Sequence, residues 1–570
     1  MIFLSAQPDE FYFLWQLQLQ LFNFHQLKIE PDRIHVLIGY NADKGLSTPF
    51  KQFISENKQA RFFCYSDRRS AKKYLHSICP HIIANHFRDH PELEEEVIFY
   101  HDSDVLLRAL PNFKDLIHDD VWYVSNTSFY LDSDYIKSRA GEDIFHSMCA
   151  VIGISPDVVE VNDKDAGGAQ YLIKNCPKGF WEKVEADGEA VYGLLEGHNR
   201  KNGYCGMGAS VRKIQSWCAG MWAIWWNALS AGRSFRIHPE LDFCWVDSPV
   251  AEFEKCNILH YTGWVDKANT RTFRKSNYVY YPPFNEHLSG LDNDQCGWLV
   301  SKTIGDYKED LLKHRTDLSD TMFLMPVRID SQERLENVYA ITSYIYKYFQ
   351  TTTLLLEVDD MPRIDTSLLN REVRYCFIED SHPKFHRTKY HNLLMMQADV
   401  PYIALYDADV VLPVQQITEA VRLLREDYYS AVSPYDGNFV SVDRLLKAMF
   451  IKLQEPELLE SNRGKLGIGV KRSYGGAIFL NRDRYIQAGM ENENISSWGP
   501  DDLERVKRLE VLGYKVKRLP GSLYHLPHER GVNSSYQSID EKCHLLGEYL
   551  SVSSMKKDEL QTYIKSWKWM

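Results

Sequence analysis

The chain has 570 residues, of which 44% are hydrophobic, so it can bury more than one core. Its 66 Lys and Arg residues against 78 Asp and Glu residues give a net charge of −12, and without a dense basic tract this argues against a nucleic-acid partner. The eleven cysteines are scattered, without CxxC pairs or Cys/His zinc spacing, which argues against a disulfide scaffold and indicates reduced thiols.

The amino terminus has no basic region, and glutamines and an asparagine interrupt the apolar residues between 11 and 24. This pattern is typical neither of a signal peptide nor of a membrane-spanning segment. We therefore expect a cytoplasmic protein, with peripheral association at the inner face of the membrane as an additional possibility.

The first half of the chain alternates strands and helices. Residues 1–5 and 33–40 are predicted strands on either side of a helix over 10–27, and a strand at 62–65 and a helix over 72–87 follow. The next apolar run ends at Asp102 and Asp104. In an α/β sheet, ligands bind at the carboxyl ends of the strands, where these two carboxylates fall.

The second half repeats this order. Strands are predicted at 322–327, 353–358 and 375–378, and helices over 330–348 and 389–397. A further strand at 402–406 ends at Asp407 and Asp409. We predict an N-terminal domain over 1–285, a connector over 286–319, a C-terminal domain over 320–535 and a helical tail over 536–570. Alternatively, the helix-like residues 302–315 are the last helix of the first domain.

Three motifs occur in the same order in both halves. They are Asp102-Ser-Asp104 and Asp407-Ala-Asp409, then Gly167-Gly168 and Gly475-Gly476, then His260 and His525. The glycine pair begins 63 residues after the carboxylates in the first half (104 to 167) and 66 after them in the second (409 to 475). An ordered set at similar spacing predicts two related domains in tandem.

Residues i and i+2 of a strand point to the same side, so each Asp-x-Asp pair can face one site. A divalent cation would relieve their repulsion and would also bind the diphosphate of a nucleotide. A neutral imidazole beside two carboxylates makes a site suited to Mn²⁺, with Mg²⁺ as the alternative. In the second half either His525 or His528 is available to complete the ligand set of Asp407 and Asp409.

The second half also carries five motifs in a characteristic order. They are Pro326-Val-Arg328-Ile-Asp330, Phe385-His-Arg387-Thr-Lys389, Tyr406-Asp407-Ala-Asp409, Tyr474-Gly475-Gly476 and Trp498-Gly-Pro-Asp501-Asp502. Over residues 320–530 this order resembles the catalytic domain of animal β-1,4-galactosyltransferases and their chondroitin-polymerase relatives. The resemblance implies a GT-A fold and a nucleotide-sugar donor.

By this resemblance, the donor would be bound by Arg328, Asp330, Arg387, Lys389, Asp407, Gly475, Gly476 and Trp498. Asp502 would be the base of an inverting transfer, which needs a carboxylate to take the proton of the acceptor hydroxyl. Asp501 stands where the family usually has Glu, as an acceptor contact in the catalytic pair. Pro-Asp-Asp is also a favourable start for a helix over 501–513, and both interpretations can hold together.

The first half resembles a different branch of the GT-A class. The motifs are Ser5-Ala-Gln-Pro8, Trp15-Gln16, Asp102-Ser-Asp104, Gly167-Gly168-Ala-Gln170-Tyr171 and Ile258-Leu-His260-Tyr-Thr-Gly263-Trp264. They are similar to those of hydroxyproline arabinosyltransferases, peptidyl-serine galactosyltransferases and their bacterial relatives. The resemblance implies donor contacts from Asp102, Gly167, Gly168, Gln170 and Lys275. His260 resembles the metal-binding histidine of glycogenin-like enzymes, which would complete the ligand set of Asp102 and Asp104.

One departure concerns the base of the first domain. Its plant relatives have a Trp-x-x-Glu-Met segment, whereas this chain reads Trp217-Cys-Ala-Gly-Met221. The domain would then be retaining, use another acid such as Asp242, or be inactive.

The leading hypothesis is a bifunctional glycosyltransferase with UDP-sugar donors and a glycan, or a lipid-linked or peptide glycoconjugate, as acceptor. One alternative keeps transfer in the C-terminal domain and makes the N-terminal domain an acceptor-binding module. Another is a glycan-binding protein without turnover, against which Asp502 argues, because a binder needs no base.

Overall fold

The computed structural model describes residues 1–203, 213–262, 269–286 and 288–569. The chain divides into two compact units, Met1–Tyr307 and Lys308–Met570, called unit 1 and unit 2 below. Both units are mixed α/β structures, so the predicted fold class is confirmed. None of the helices in the described ranges has the length and apolarity to span a membrane.

Unit 1 contains ten strands and ten helices within its described residues. The strands are β1 (Ile2–Pro8), β2 (Ile34–Asn41), β3 (Arg61–Asp67), β4 (Ile98–Tyr100), β5 (Val105–Leu107), β6 (Trp122–Asn126), β7 (Gly167–Ile173), β8 (Phe235–Ile237), β9 (Phe243–Cys244) and β10 (Ile258–His260). The helices are α1 (Phe11–Gln26), α2 (Thr48–Glu56), α3 (Ile78–Asp89), α4 (Ser133–Ala140), α5 (Glu142–Ile152), α6 (Pro156–Val161), α7 (Phe180–Lys201), α8 (Ala219–Ser230), α9 (Val250–Phe253) and α10 (Gly297–Leu311), the last of which runs past Tyr307.

Unit 2 continues with eleven strands in its described part. They are β11 (Thr316–Val327), β12 (Phe349–Asp359), β13 (Val373–Glu379), β14 (Tyr402–Tyr406), β15 (Val410–Val411), β16 (Ala431–Ser433), β17 (Phe439–Ser441), β18 (Gly467–Val470), β19 (Ala477–Asn481), β20 (Val516–Arg518) and β21 (Leu523–His525). The helices are α11 (Gln332–Tyr348), α12 (Arg387–Gln397), α13 (Val414–Arg425), α14 (Arg444–Leu453), α15 (Glu457–Ser461), α16 (Arg482–Gln487), α17 (Asp501–Leu512), α18 (Ile539–Ser554) and α19 (Lys557–Lys565).

The large sheets of the two units have the same topology. The strand order is β3-β2-β1-β4-β7-β6-β8 in unit 1 and β13-β12-β11-β14-β19-β16-β20 in unit 2. In each sheet the first four strands are parallel, the fifth is antiparallel to both neighbours, and the last two are parallel to each other. Each unit also has a small sheet, β5-β10-β9 or β15-β21-β17-β18, built from the strands after the carboxylate pair and around the histidine.

The central strands are nearly continuous apolar runs because helices cover both faces of each sheet. In β14, four of the five residues are buried, and Leu405 and Tyr406 belong to different cores on the two faces. Asp407 follows directly at the carboxyl end of β14, and β15 of the small sheet begins shortly after it, at Val410.

Several boundaries differ from the sequence prediction. The helix predicted from residue 72 begins at Ile78, because Arg69 donates to the carbonyl oxygen of Tyr74 and holds the preceding segment as a loop. The strand predicted from residue 322 begins at Thr316, where polar residues pair with the start of β12 before an irregularity between Asp317 and Met322. Because the first residues of β11 are polar, they do not belong to the apolar run from which the strand is predicted.

The segment expected to connect the domains is divided. Val300 and Ile304 of α10 pack with Trp15 and Leu19 in the core of unit 1, so residues up to Tyr307 belong to that unit. In the tail, α18 and α19 contribute side chains to the core of unit 2, among them Val552.

Candidate functional site

In unit 2 the small sheet brings a histidine to the second carboxylate. β15 pairs antiparallel with β21 so that Val410, the residue after Asp409, lies opposite His525. The Nε2 atom of His525 is 3.7 Å from Asp409 Oδ2, and that of His528 is 3.1 Å from the same oxygen. One donor atom of each of the three side chains lies within 4.8 Å of the other two. The sequence left the choice between the histidines open, and the structure brings both to Asp409.

The chemistry of this cluster fits a divalent ion. Burial lowers the pKa of His525, so its imidazole is neutral at pH 7 and has a lone pair for a metal. Burial opposes ionisation of Asp409, but His525, His528 and Arg334 outweigh it and hold the pKa of Asp409 well below its ordinary value. An ionised carboxylate and two imidazoles are a donor set suited to Mn²⁺. Asp409, His525 and His528 could therefore hold such an ion.

Asp407 faces a different group. Its two carboxylate oxygens lie 3.2 and 3.3 Å from Nη1 of Arg387, the first residue of α12. The same guanidinium contacts both oxygens of Asp502 at 3.2 Å and pairs with Asp501. Arg387 thus joins the carboxylate at the end of β14 to the two at the start of α17. Among the predicted donor-binding residues, Arg387 is the one whose side chain contacts all three of these carboxylates.

The two carboxylates at the start of α17 have different environments. The first, Asp501, is buried, and this burial raises its pKa to about 6. Burial acts on Asp502 in the same direction, but the charges of Arg387 and Arg505 outweigh it and lower the pKa of Asp502. At neutral pH both carboxylates are largely ionised, and Asp502 stays ionised to a lower pH than Asp501.

Sequence reasoning missed Arg505 and Glu491. Arg505 is 2% exposed; its Nη1 lies 2.9 Å from Asp502 Oδ1, and its Nε and Nη2 bind Glu491 at 2.6 and 2.8 Å. A bidentate pair of this kind fixes the guanidinium and, through it, the carboxylate of Asp502. The available signal was the i, i+3 spacing of Asp502 and Arg505 on a helix.

The glycine pair brings the sheet close to Asp502. Gly476 has φ of 84°, and its carbonyl oxygen accepts from the backbone N–H of Asp407 at 2.8 Å. A Cβ atom on Gly475 would lie 2.6 Å from Asp502 Oδ2. A side chain at Gly475 would therefore displace the candidate base.

Four further predicted donor contacts lie elsewhere in unit 2. The guanidinium of Arg328 donates to the backbone carbonyl oxygens of Val358, Asp380 and His382, which ties strand ends together. Asp330 accepts from Arg334, whose guanidinium also reaches Asp409 at 3.5 Å.

The other two are Lys389 and Trp498. Lys389 is exposed and lies two positions after Arg387 on α12, so the two side chains do not share a helix face. Trp498 is 48% exposed and packs edge-on against Tyr536.

In unit 1 the small sheet brings a histidine to the second carboxylate through the same strand register as in unit 2. Val105, the residue after Asp104, lies opposite His260 in the pairing of β5 with β10. His260 Nε2 is 3.2 Å from Asp104 Oδ1 and 3.6 Å from Asp102 Oδ2, and the three side chains form a second group of metal-ligand spacing. The cluster fits a divalent ion as the first does, with one imidazole and two carboxylates.

Two more predicted residues of unit 1 surround this cluster. Lys275 Nζ lies 2.5 Å from Asp104 Oδ2 and is buried with it. Gln170 is fully buried, accepts from Ser125 and lies 3.3 Å from His260 Nδ1, so it orients the imidazole. Gly263 and Trp264 of the quoted motif lie outside the described residues.

Sequence reasoning treated the glutamines of α1 as interruptions of an apolar pattern, and the structure gives them a role. Gln20 donates to the carbonyl oxygen of Asp102 at 2.7 Å, and Gln16 accepts from the hydroxyl of Ser103 at 3.0 Å. Both glutamines are buried. They hold the loop that carries the two carboxylates of unit 1.

When the two large sheets are matched strand by strand, the Gly-Gly pair of unit 1 is shifted by one residue relative to the Gly-Gly pair of unit 2. In unit 1 Tyr100 pairs with Tyr171, and in unit 2 Leu405, at the matching position before its Asp pair, pairs with Ile478. Gly168 therefore matches Gly475, and Ala169, with φ of 72°, matches Gly476.

At Gly168 an added Cβ would lie 2.6 Å from the Cε atom of Met221. At the matched Gly475 the neighbour is Asp502. The nearest groups at this position in unit 1 are thus the methyl group of Met221 and the hydroxyl of Tyr171, at 2.7 Å, where unit 2 has a carboxylate. Gly167, the other predicted glycine, is packed against Val124 and the backbone of Ser125. Burial raises the pKa of Asp242, the alternative acid.

No protein-family model and no curated protein matches the chain. Among solved structures, it has a partial likeness to one described as GalNAc-T7 with UDP, GalNAc and Mn²⁺, with 12% identity, a TM-score of 0.29, and coverage of 43% of this chain and 49% of that one. A second is the catalytic domain of Drosophila β1,4-galactosyltransferase 7 in complex with xylobiose, with 16% identity, a TM-score of 0.24, and coverage of 39% and 76%. The chain thus spans about half the length of the first of these proteins.

Proposed function

We propose that this chain is a metal-dependent glycosyltransferase of GT-A type with two nucleotide-sugar sites, in which unit 2 transfers with inversion. The observation that carries the proposal is the hub in unit 2, where Arg387 joins Asp407, beside the metal cluster, to Asp502. A binding protein needs no carboxylate base at this point. The same two-carboxylate and histidine arrangement in unit 1 supports a second donor site.

In unit 2, Asp409, His525 and His528 would hold Mn²⁺ or Mg²⁺. When bound, the ion would supply positive charge for the diphosphate of the donor. Arg387 is shared by three carboxylates, so it sets the distance between donor and base more than it neutralises phosphate.

The chemical step in the proposal is proton transfer to Asp502. The acceptor hydroxyl forms a bond to the anomeric carbon while the bond from that carbon to the leaving phosphate oxygen breaks. Asp502 takes the hydroxyl proton, and the nucleoside diphosphate leaves. Arg505 holds Asp502 Oδ1 at 2.9 Å, and Oδ2 lies against Gly475. Oδ2 is therefore the oxygen that we assign as the proton acceptor.

A second candidate makes unit 1 an acceptor-binding module and leaves transfer to unit 2. One observation favours it, namely that Met221 stands where unit 2 has Asp502. A methionine cannot accept a proton, so an inverting step in unit 1 would need a different base. Donor binding at Asp102, Asp104 and His260 is unaffected by this difference.

The test is a screen for hydrolysis of UDP-, GDP- and CMP-sugars in the presence of Mn²⁺, since water can replace an unidentified acceptor. We expect wild-type turnover with at least one UDP-sugar, and we expect Asp409→Ala to abolish the part of this turnover that belongs to unit 2. Turnover that is insensitive to Asp409→Ala, Asp502→Asn and Asp104→Ala alike would show that neither cluster is the active site. A turnover rate that Asp104→Ala leaves undiminished, together with nucleotide binding in unit 1 of the wild type, would support the second candidate.

A further inference from the structure

Two loops of unit 2 lead to the charged residues of its candidate site. Residues 380–386, called the Arg loop here, precede α12 and Arg387, and residues 488–500, called the Asp loop, precede α17 with Asp501 and Asp502. The guanidinium of Arg387 contacts both of these carboxylates. The geometry of the site therefore depends on how the two loops lie relative to each other.

A glutamate of the C-terminal tail bridges the two loops. Glu541, in the first turn of α18, accepts on Oε1 from Lys384 Nζ of the Arg loop at 2.7 Å and from Ser497 Oγ of the Asp loop at 2.6 Å. Its Oε2 atom accepts from the backbone N–H of Gln537 at 2.7 Å. The side chain of Glu541 is 10% exposed, so these bonds are largely shielded from water. One carboxylate thus ties both loops to the tail.

The tail also contacts the last part of the Asp loop. α12 binds this loop at Ile495, whose carbonyl oxygen accepts from Thr388 Oγ1 at 2.9 Å. Three consecutive residues nearer to Asp501 each contact the tail. The pairs are Ser497 with Glu541, Trp498 with Tyr536, and Gly499 with Leu545. Just ahead of the tail, Asn533 Oδ1 accepts from the backbone N–H of Phe385 in the Arg loop at 2.8 Å.

A shift between the loops would move the candidate base. Arg387 Nη2 lies 3.2 Å from each carboxylate oxygen of Asp502. Misplacement of a reacting group by about 1 Å can reduce a rate by about 10²-fold. The candidate metal cluster depends on other elements, because the pairing of β15 with β21 brings His525 to Asp409. Loss of the Glu541 contacts should therefore change transfer more than donor binding.

We propose that Glu541 is a positioning residue for transfer in unit 2, through which the tail holds the Arg loop and the Asp loop together. The inference rests on the proposed function of unit 2 and deepens it by giving the tail a part in the chemical step. Glu541 acts through Lys384 and Ser497 and not on the reacting atoms. Hydrogen bonds from these two side chains lower the pKa of Glu541 to about 2, so the bridge is ionised at the pH of the assays.

A glutamate in the first turn of a helix also stabilises that helix, so the test needs a matched control. Glu559 takes the same position in α19, where it accepts from the backbone N–H of Lys556 at 2.8 Å. Glu541→Met and Glu559→Met remove the same kind of contact at a helix start, and the first also removes the bridge between the loops. Glu541→Gln is the conservative variant, because its amide oxygen can still accept from Ser497.

Each variant is made in the full chain with Asp104→Ala, so that unit 2 is the site observed, and Mn²⁺ is saturating. Hydrolysis of the UDP-sugar that the wild type turns over fastest gives kcat and KM, and calorimetry gives the affinity for UDP. We expect Glu541→Met to lower kcat about 10- to 100-fold with KM and UDP affinity within about twofold, because the loops shift while the metal ligands stay in place. Glu541→Gln should recover part of the loss, and Glu559→Met should turn over like the parent.

Two further variants leave the start of α18 intact. Lys384→Met and Ser497→Ala each remove one partner of Glu541 and should lower kcat as well. In combination with Glu541→Met, either should add less than it does alone, because effects of residues in contact are not additive. Peptides over 380–386 and 496–500 should exchange their amide hydrogens faster in Glu541→Met than in Glu559→Met.

The outcomes separate the inference from the proposed function. An equal loss of kcat in Glu559→Met, or a loss of UDP affinity as large as the loss of kcat, would make Glu541 a residue of general stability and overturn the inference. If turnover depends on Asp409 and Asp502 but not on Glu541, the proposed function stands and the inference fails. If the wild type turns over no nucleotide sugar and Asp409→Ala leaves UDP binding unchanged, both fail.

Discussion

Met221 approaches Gly168 in unit 1, and Asp502 approaches the matching Gly475 in unit 2. The two sheets share their strand order, and both place a histidine opposite the residue after the second carboxylate. The groups that carry charge around these common positions differ. Unit 1 pairs Asp104 with Lys275, whereas unit 2 joins three carboxylates through Arg387. The common sheet therefore keeps the place of the candidate metal cluster while the candidate catalytic group differs, because strands position the former and helix-borne side chains supply the latter.

The largest difference between the units is expected from Asp502→Asn, which keeps the size and hydrogen bonding of the side chain but cannot accept a proton. We expect unit 2 transfer to fall by about 10²- to 10⁴-fold at saturating donor, with donor affinity little changed. The measurement is single-turnover transfer or donor hydrolysis beside calorimetry with UDP. Met221→Leu is the matched change in unit 1 and should leave the unit 2 rate unaltered. A loss of donor affinity with a normal rate at saturation would make Asp502 a binding residue.

Removal of one carboxylate from each cluster tests whether the common arrangement binds metal in both units. Asp409→Ala and Asp104→Ala should each abolish one of two Mn²⁺-dependent UDP binding events, since each leaves an incomplete donor set. Titration of UDP into protein with saturating Mn²⁺ gives the number of sites. Asp436→Ala, an exposed carboxylate of unit 2, serves as the control. A single UDP site that persists in Asp104→Ala would limit donor binding to unit 2.

Gln16 and Gln20, called the glutamine clamp here, hold the loop that carries Asp102 and Asp104 in unit 1. Gln20→Leu leaves the carbonyl oxygens of Asp102 and Val105 without this buried donor, and we expect a loss of about 1–3 kcal/mol in the free energy of unfolding of unit 1. Denaturant unfolding is monitored by hydrogen exchange in peptides from β4 of unit 1 and β11 of unit 2, and this assigns the loss of stability to one of the two units. Faster exchange in β11 than in β4 would show that the effect is not local to the clamp.

The pH profile distinguishes the two carboxylates of α17 as bases. A carboxylate base works when ionised, so activity is lost as the pH falls through its pKa. Because the pKa of Asp502 is lowered, transfer should stay level from pH 7 to pH 5 at saturating Mn²⁺ and donor. If Asp501 were the base, its pKa of about 6 would halve the rate near pH 6. UDP affinity at each pH controls for loss of metal binding.

Much of the fold could be predicted because strands that are buried on both faces appear in the sequence as long apolar runs. β14 was predicted with its exact bounds, Tyr402–Tyr406, and the α/β class followed from the alternation of such runs with helices. β11 was underestimated because residues before Met322 are polar and pair only after an irregularity. Local patterns also left the first part of α10 undecided, since its place depends on packing with Trp15 at a distance of almost 300 residues.

The sequence alone was enough to single out the residues proposed to carry the chemistry, namely two Asp-x-Asp pairs after apolar strands, each followed at long range by glycines and a histidine. Which of these residues come into contact could be seen only in the folded chain. The fold brings both His525 and His528 to Asp409 and turns Asp407 toward Arg387. The physical reason is that a strand register or a helix face fixes contacts between residues a hundred positions apart, and no local pattern of apolar and polar residues encodes that distance.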